Sequence, residues 1–354
     1  MRNSAGPDLS WWSTRTPVWR HLLRQPIRGG VVLEKTTGGR VLRQLAWATC
    51  WVTVAGLPLA TCGATLECVY ADDTGDTTYD VVVGRGYAYV SSNGGVSIYD
   101  VRDPERPQLI ADPGWARGAA FGLRLVDSIL YVAAIDQGLL IVDVSDPAAL
   151  AVLAQCGAGA VDVFVHRGIA YVSAMVRDLE VVDVSDPTAS TPLSSLSWGN
   201  VDGVTGLGDH VYITDRARGI ARLDVSNPAR PVELGVLSNS LGAYRLEIRG
   251  DWLFAAMYVR GVRAYDVSRP HAPLLAFTFS HTGEAWDAGG EYPIMYVADL
   301  QEGVEVLDAS APYASGMIAS DATLAPHALA CESGYIHVAD QDEGYVLLRL
   351  ALDR

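Results

Sequence analysis

Residues 139–147 read LLIVDVSDP, and altered copies of this string recur down the chain. SIYDVRDP ends at Pro104, LIVDVSDP at Pro147, EVVDVSDP at Pro187, ARLDVSNP at Pro228, RAYDVSRP at Pro270 and EVLDASAP at Pro312. Their aspartates, Asp100, Asp143, Asp183, Asp224, Asp266 and Asp308, are spaced by 43, 40, 41, 42 and 42 residues. A fixed period near forty is what propeller blades show, each unit burying its faces only against its neighbours.

The rest of the unit repeats with it. About a dozen residues before each aspartate stands an apolar run led by an aromatic, such as YAYVS, LYVAA, AYVSA and VYITD. Five residues before it stands glycine, at Gly95, Gly138, Gly219, Gly261 and Gly303, with Asp178 in that slot of the third unit. Aspartate is among the few other residues that tolerate a left-handed backbone, so the slot predicts a hairpin corner with positive φ. Short runs rich in Val, Ile, Leu and Tyr, bounded by Gly, Pro and Asp, predict four strands per unit and no helix. In the seventh unit Gly344 keeps its place, but Arg349 stands where the aspartate is expected and the fourth strand is missing. The run Leu66 to Tyr70 is β-prone and lies upstream of the first unit. An open sheet edge invites aggregation, so this run is expected to supply the missing strand. The prediction is an all-β, seven-bladed β-propeller of four-stranded antiparallel blades, closed by an N-terminal strand that completes the last blade.

With its spaced YVA, Gly and (I/V)VDVSDP elements, the chain resembles the LVIVD-repeat family over about residues 79 to 350; Leu139 to Asp143 reproduces the family string as LLIVD. The GH and WD signatures of WD40 blades are missing. The resemblance implies a β-propeller of the kind found in exported or surface proteins, and it carries over no active site.

Formal net charge is −15. Residues 1 to 62 hold eight Lys or Arg and two Asp or Glu, which leaves 18 basic and 39 acidic residues, or −21, on the remainder. Such a surface repels phosphates and anionic lipid heads, which argues against nucleic acid as a partner. Residues 1–40 read as a poorly ordered leader or a mis-assigned start. Residues 41–62 read as a signal: Arg40 and Arg43 precede the uncharged run Leu45 to Ala60, which ends in small residues. LATC at Leu59 to Cys62 resembles a lipoprotein box, in which Cys62 would be acylated, although Thr61 departs from it. Plain cleavage, lipidation and an uncleaved anchor all remain open here. Residues 63–354 form the propeller, expected to be exported to a bacterial envelope, monomeric, and in contact with a membrane only through the signal or lipid.

Catalytic signatures are missing from the string. There is no GxSxG elbow, HExxH, Walker loop or CxxC pair, and Cys156 and Cys331 read as buried small residues. The least ordinary constellation opens each unit's first strand, where a propeller lines its central channel. Tyr79, Asp80, Asp162, Asp202, Tyr244, Arg245, Trp286, Asp287 and His327 fall there and would form a polar and aromatic funnel. The competing structural reading has the aromatics wedged between blades and the acids capping turns. Two functions follow: a non-enzymatic surface scaffold for a protein or glycan, with no cofactor, or a hydrolase or lyase using the funnel acids with a divalent cation such as calcium. Acids clustered in one cavity with shifted protonation favour the enzyme; acids each satisfied by its own turn favour the scaffold.

Overall fold

The computed structural model describes residues 48–50, 53–54, 57–58 and 62–352, apart from residues 73–75, 112–117, 176–177, 200, 216, 281–282, 292 and 310–315. The leader at residues 1–40, the start-site question and most of the signal at 41–62 lie outside the described residues, as does the turn before Asp178.

Six four-stranded antiparallel sheets follow one another in chain order, and a further sheet joins the two ends of the chain. The second blade shows the plan, from innermost to outermost strand: Ala120–Val126, Ile129–Ala134, Gly138–Asp143 and Ala151–Cys156. The seven innermost strands pack side by side in chain order, and the seventh returns to the first. The predicted seven-bladed propeller is the observed fold, and no helix occurs among the described residues.

Each blade buries both faces of its second and third strands. In Ile129–Ala134 all but the first residue are buried, and in Gly138–Asp143 all but the last. That burial explains the nearly continuous apolar runs, since neither face meets water. The cores lie between blades: Tyr89 and Ile98 of blade 1 pack with Val132 and Leu140 of blade 2, and Tyr131 and Ile141 of blade 2 pack with Val163 and Val172 of blade 3.

The repeated string works as turn chemistry. Asp143 accepts the amide of Ser145 at 2.8 Å and Asp146 that of Ala148 at 3.0 Å; Asp183, Asp224 and Asp266 each accept the amide two residues on. These loops all lie at one end of the ring. The starts of the first strands and the glycine corners share the other end, as the pairs Ala134 with Ala120 and Ala134 with Gly138 show.

All six corner glycines have positive φ, from 76° to 132°. At Gly303, φ is 84° and an added Cβ would run into the carbonyl oxygen of Asp321. Gly303→Val is therefore expected to cost more than the roughly 1–2 kcal/mol of the left-handed penalty alone. Gly250→Ala, at φ 56° with open space around it, meets only that penalty. Urea denaturation of the two variants separates the effects, and equal losses would remove the clash from the account.

Ring closure follows the sequence expectation. Cys62–Asp72 pairs antiparallel with Gly344–Leu352 from Ala64 opposite Leu352 to Asp72 opposite Tyr345, completing the blade of Pro326–Glu332, Tyr335–Asp340 and Gly344–Leu352. Ala64 and Leu66 enter the core shared with the sixth blade. A further short strand, Ala48–Cys50, pairs with Cys62–Ala64. Where the motif lapses, Arg349 reaches Glu67 of the closing strand and Glu105 of the first blade, both at 2.6 Å. The fourth strand of the seventh blade is Cys62–Asp72, so Gly344–Leu352 pairs with it without the Asp-capped turn of the other blades. The position instead ties both ends of the chain together, through exposed pairs worth a few tenths to about 1 kcal/mol each.

Candidate functional site

The site begins with a fault in the ladder. In the first blade Thr78 pairs with Ser92, and the next pair is Asp80 with Ser91, leaving Tyr79 as an extra residue. The same skip leaves out Val161, Trp286 and His327 in the third, sixth and seventh blades. Irregular pairing at the same level spans Phe121 and Gly122 in the second blade and Asp202 and Gly203 in the fourth. In the fifth blade Tyr244 directly precedes the first strand, Arg245–Arg249. Bulges re-aim side chains out of the pleat and are frequent beside binding sites. Here six of them fall on the level that the funnel residues occupy.

The bulged rings form one arc. Tyr79 stacks on Phe121 at 4.3 Å between centroids and on His327 at 5.7 Å. His327 meets Trp286 at 4.9 Å, and Trp286 meets Tyr244 edge-on at 5.0 Å and Tyr258 at 6.0 Å. The arc thus runs through the second, first, seventh, sixth and fifth blades. Val161 and Asp202 hold the remaining two positions. Asp202 is half-buried, and its carbonyl accepts the hydroxyl of Ser173 at 3.0 Å. The Tyr79 hydroxyl donates to Asn93 at 2.8 Å.

One residue further along the strands lies a charged layer. Arg245 crosses from the fifth blade to Asp80 of the first at 2.5 Å, approaches Asp287 of the sixth at 3.8 Å, and donates to the Tyr79 carbonyl at 3.3 Å. Each carboxylate also clasps the next blade. Asp80 accepts the amides of Val81 and Leu123 at 2.8 Å; Asp162 accepts those of Val163 and Val204 at 2.8 and 2.9 Å. Asp287 accepts those of Ala288 and Leu329 at 2.9 and 3.1 Å. The blade following each acid carries Gly122, Gly203 or Ala328 at the matching slot.

The acids thus accept backbone amides of their own and the next first strand, and they stand together around Arg245. Burial raises the carboxyl of Asp80 to about 7; Arg245 and the Leu123 amide pull it down, while Asp287 and Asp162 push it up. Burial raises Asp162 as well. For Arg245, burial disfavours the charge, but the pull of Asp80, Asp287 and Asp162 prevails and its pKa rises. Burial lowers His327 below the ordinary histidine value.

Beyond the charged layer Glu247 pairs with Arg249 at 2.7 Å in a solvent-open cleft that Gly289, Tyr296 and Cys331 also line. Cys331 and Cys156 are half-buried, not buried as expected: both lie at the margins of their blades, where packing is one-sided. Sequence reasoning left Phe121, Tyr258 and Glu247 out of the candidate set. Phe121 occupies the funnel slot and was within reach; Tyr258 and Glu247 sit in other slots, where no periodic signal marks them. Among the described residues, no group of three or more His, Cys, Asp or Glu is placed to hold a metal ion.

Four stretches, residues 75–112, 118–156, 157–195 and 198–238, match the LVIVD repeat, and they coincide with the first four blades. No curated protein matches the chain. Among solved structures, the crystal structure of the computationally designed Ika8 protein is similar, with a TM-score of 0.60 and 10% identity, covering 80% of this chain and 98% of that one. At that identity the likeness concerns the fold alone.

Proposed function

For this chain, a β-propeller whose first four blades are LVIVD repeats, we infer the function of an exported, non-enzymatic scaffold that binds a protein or glycan at the aromatic end of its channel. The observation that carries the reading is the pairing of an arc of half-buried rings with a charged layer whose carboxylates are engaged by backbone amides and Arg245. Aromatic rings give a binding face large contact area at low entropic cost, and ring-rich centres dominate binding energy. Export is supported by the uncharged run Leu45 to Ala60 behind Arg40 and Arg43. Lipidation at Cys62, plain cleavage and an uncleaved anchor are the three forms of that export.

A glycan array and a pull-down from envelope extract test the reading. Capture is expected with the intact chain, and Trp286→Ala should weaken it by about tenfold or more, the usual cost of removing a central aromatic anchor. Silence in both assays, or capture indifferent to Trp286, would overturn it. The raised carboxyl of Asp80 within a cluster of acids favours a second reading, a hydrolase or lyase assisted by a divalent cation. Turnover of glycoside, ester or uronate substrates in the presence of calcium, abolished in Asp80→Asn, would establish it over the first.

A further inference from the structure

Two residues along the first strand from the level of the charged layer, the second blade carries Arg124. Its guanidinium carbon lies 5.4 Å from the centre of the Phe164 ring of the third blade, which is only 4% exposed, so the stack fixes where the fork sits. Among the described residues this guanidinium meets no carboxylate at ion-pair distance and no hydrogen-bond acceptor, and its Nε is buried without a partner. A guanidinium carries five N–H donors, and leaving them unmet inside a protein is costly. The chain is not short of acids to meet them, with a net charge of −15. Arg102, Arg167, Arg218, Arg249 and Arg349 each pair with one, as Arg245 does.

The bore around Arg124 has room for a small guest. Arg124 pairs with Tyr131, and at the matching slot of the sixth blade Gly289 pairs with Tyr296. Gly289 and Gly290 thus stand where the second blade carries Arg124 and Leu125, and they line the cleft together with Glu247 and Arg249. Burial raises the carboxyl of Glu247, and Arg249 and Arg124 are among the cations that pull it down, so Arg124 lies within electrostatic reach of the cleft. Glu247 is nevertheless engaged by Arg249, at 2.7 Å. The donors of Arg124 are left for something the protein does not supply. A metal ion or an amine would add to its charge, whereas an oxyanion accepts two N–H groups at once from the flat fork.

We propose that the bore beyond the charged layer holds a small oxyanion, a carboxylate or a phosphate group, clasped by the guanidinium of Arg124 with Arg249 on the cleft side. The site stands on the other side of Asp80 and Arg245 from the aromatic arc and does not depend on a ligand at that arc.

Calorimetric titration of the full chain with inorganic phosphate and with glutarate, at constant ionic strength, separates the two sources. Binding of phosphate alone indicates a phosphoryl ligand and binding of glutarate alone a carboxylate; either supports the proposal, as does binding of both. Arg124→Gln removes the charge and the fork and should weaken binding by about tenfold or more. Should that variant misfold, the Nε–H resonance of Arg124 in the unaltered protein should shift as the anion is added. No binding of either anion, equal affinity in a folded Arg124→Gln, an unmoved resonance, or the same response to chloride overturns the proposal and leaves Arg124 as packing for Phe164.

Discussion

Arg245→Met is expected to lower the unfolding free energy by about 3–5 kcal/mol at pH 8, the usual cost of stranding buried charges, and by clearly less at pH 5. The guanidinium pairs with Asp80 and Asp287, which are nearly closed to water, and feels the charge of the half-buried Asp162. Without it, carboxylates that stay ionised repel one another in a low-dielectric neck. The sign of the pH effect follows from Asp80, whose carboxyl is raised from 3.8 to about 7 in the fold. Between those values the folded state holds a proton that the unfolded state has released. Stability from this group is therefore greatest below the unfolded value and declines as pH rises through the folded one. Removing Arg245 raises the carboxyl further and carries the decline to higher pH. Urea denaturation at pH 5 and pH 8 reads the difference; equal losses at both would mean the neck is held by packing and not by charge.

Deleting residues 63–72 should have a comparable effect by another route. It strips the pairing partner from Gly344–Leu352 and removes the fully buried Leu66 from the core between the sixth and seventh blades. The Leu66 side chain alone contributes roughly 2 kcal/mol of apolar burial. The exposed ladder of Gly344–Leu352 becomes a template for a second molecule. A total loss near 5 kcal/mol corresponds to a fall in Tm of about 10 °C or more. Cooperative melting should be lost with it, together with solubility. Scanning calorimetry and light scattering report both, and a deletion that melts like the parent would show that closure lies elsewhere.

Much of the ring was legible because each blade repeats the same physical problem. An Asp-Val-Ser-Asp-Pro turn, a glycine corner and a two-sided apolar strand must recur wherever a sheet is sandwiched, so their spacing revealed the blades. The closing strand could be foreseen because Arg349 replaces the aspartate of the turn after the third strand, and the β-prone run Leu66 to Tyr70 stands upstream of the first unit. The site was legible only as a slot. A bulge is a property of register between two strands, and Tyr, Phe, Val, Asp, Trp and His all occupy its position, so no residue type announces it. Nor does any period link Arg245 to Asp80, which meet because the ring brings distant blades face to face. Arg349 was visible as a departure from the motif, but its pairing with Glu67 and Glu105 depends on both chain ends being present.

The side chain of Arg245 spans the neck from the fifth blade to the first. The fifth and first blades are not neighbours in the ring, so this contact joins them across the bore and not along the perimeter. The circle thus has a spoke as well as a rim, and parting two adjacent blades leaves that cross-link unbroken.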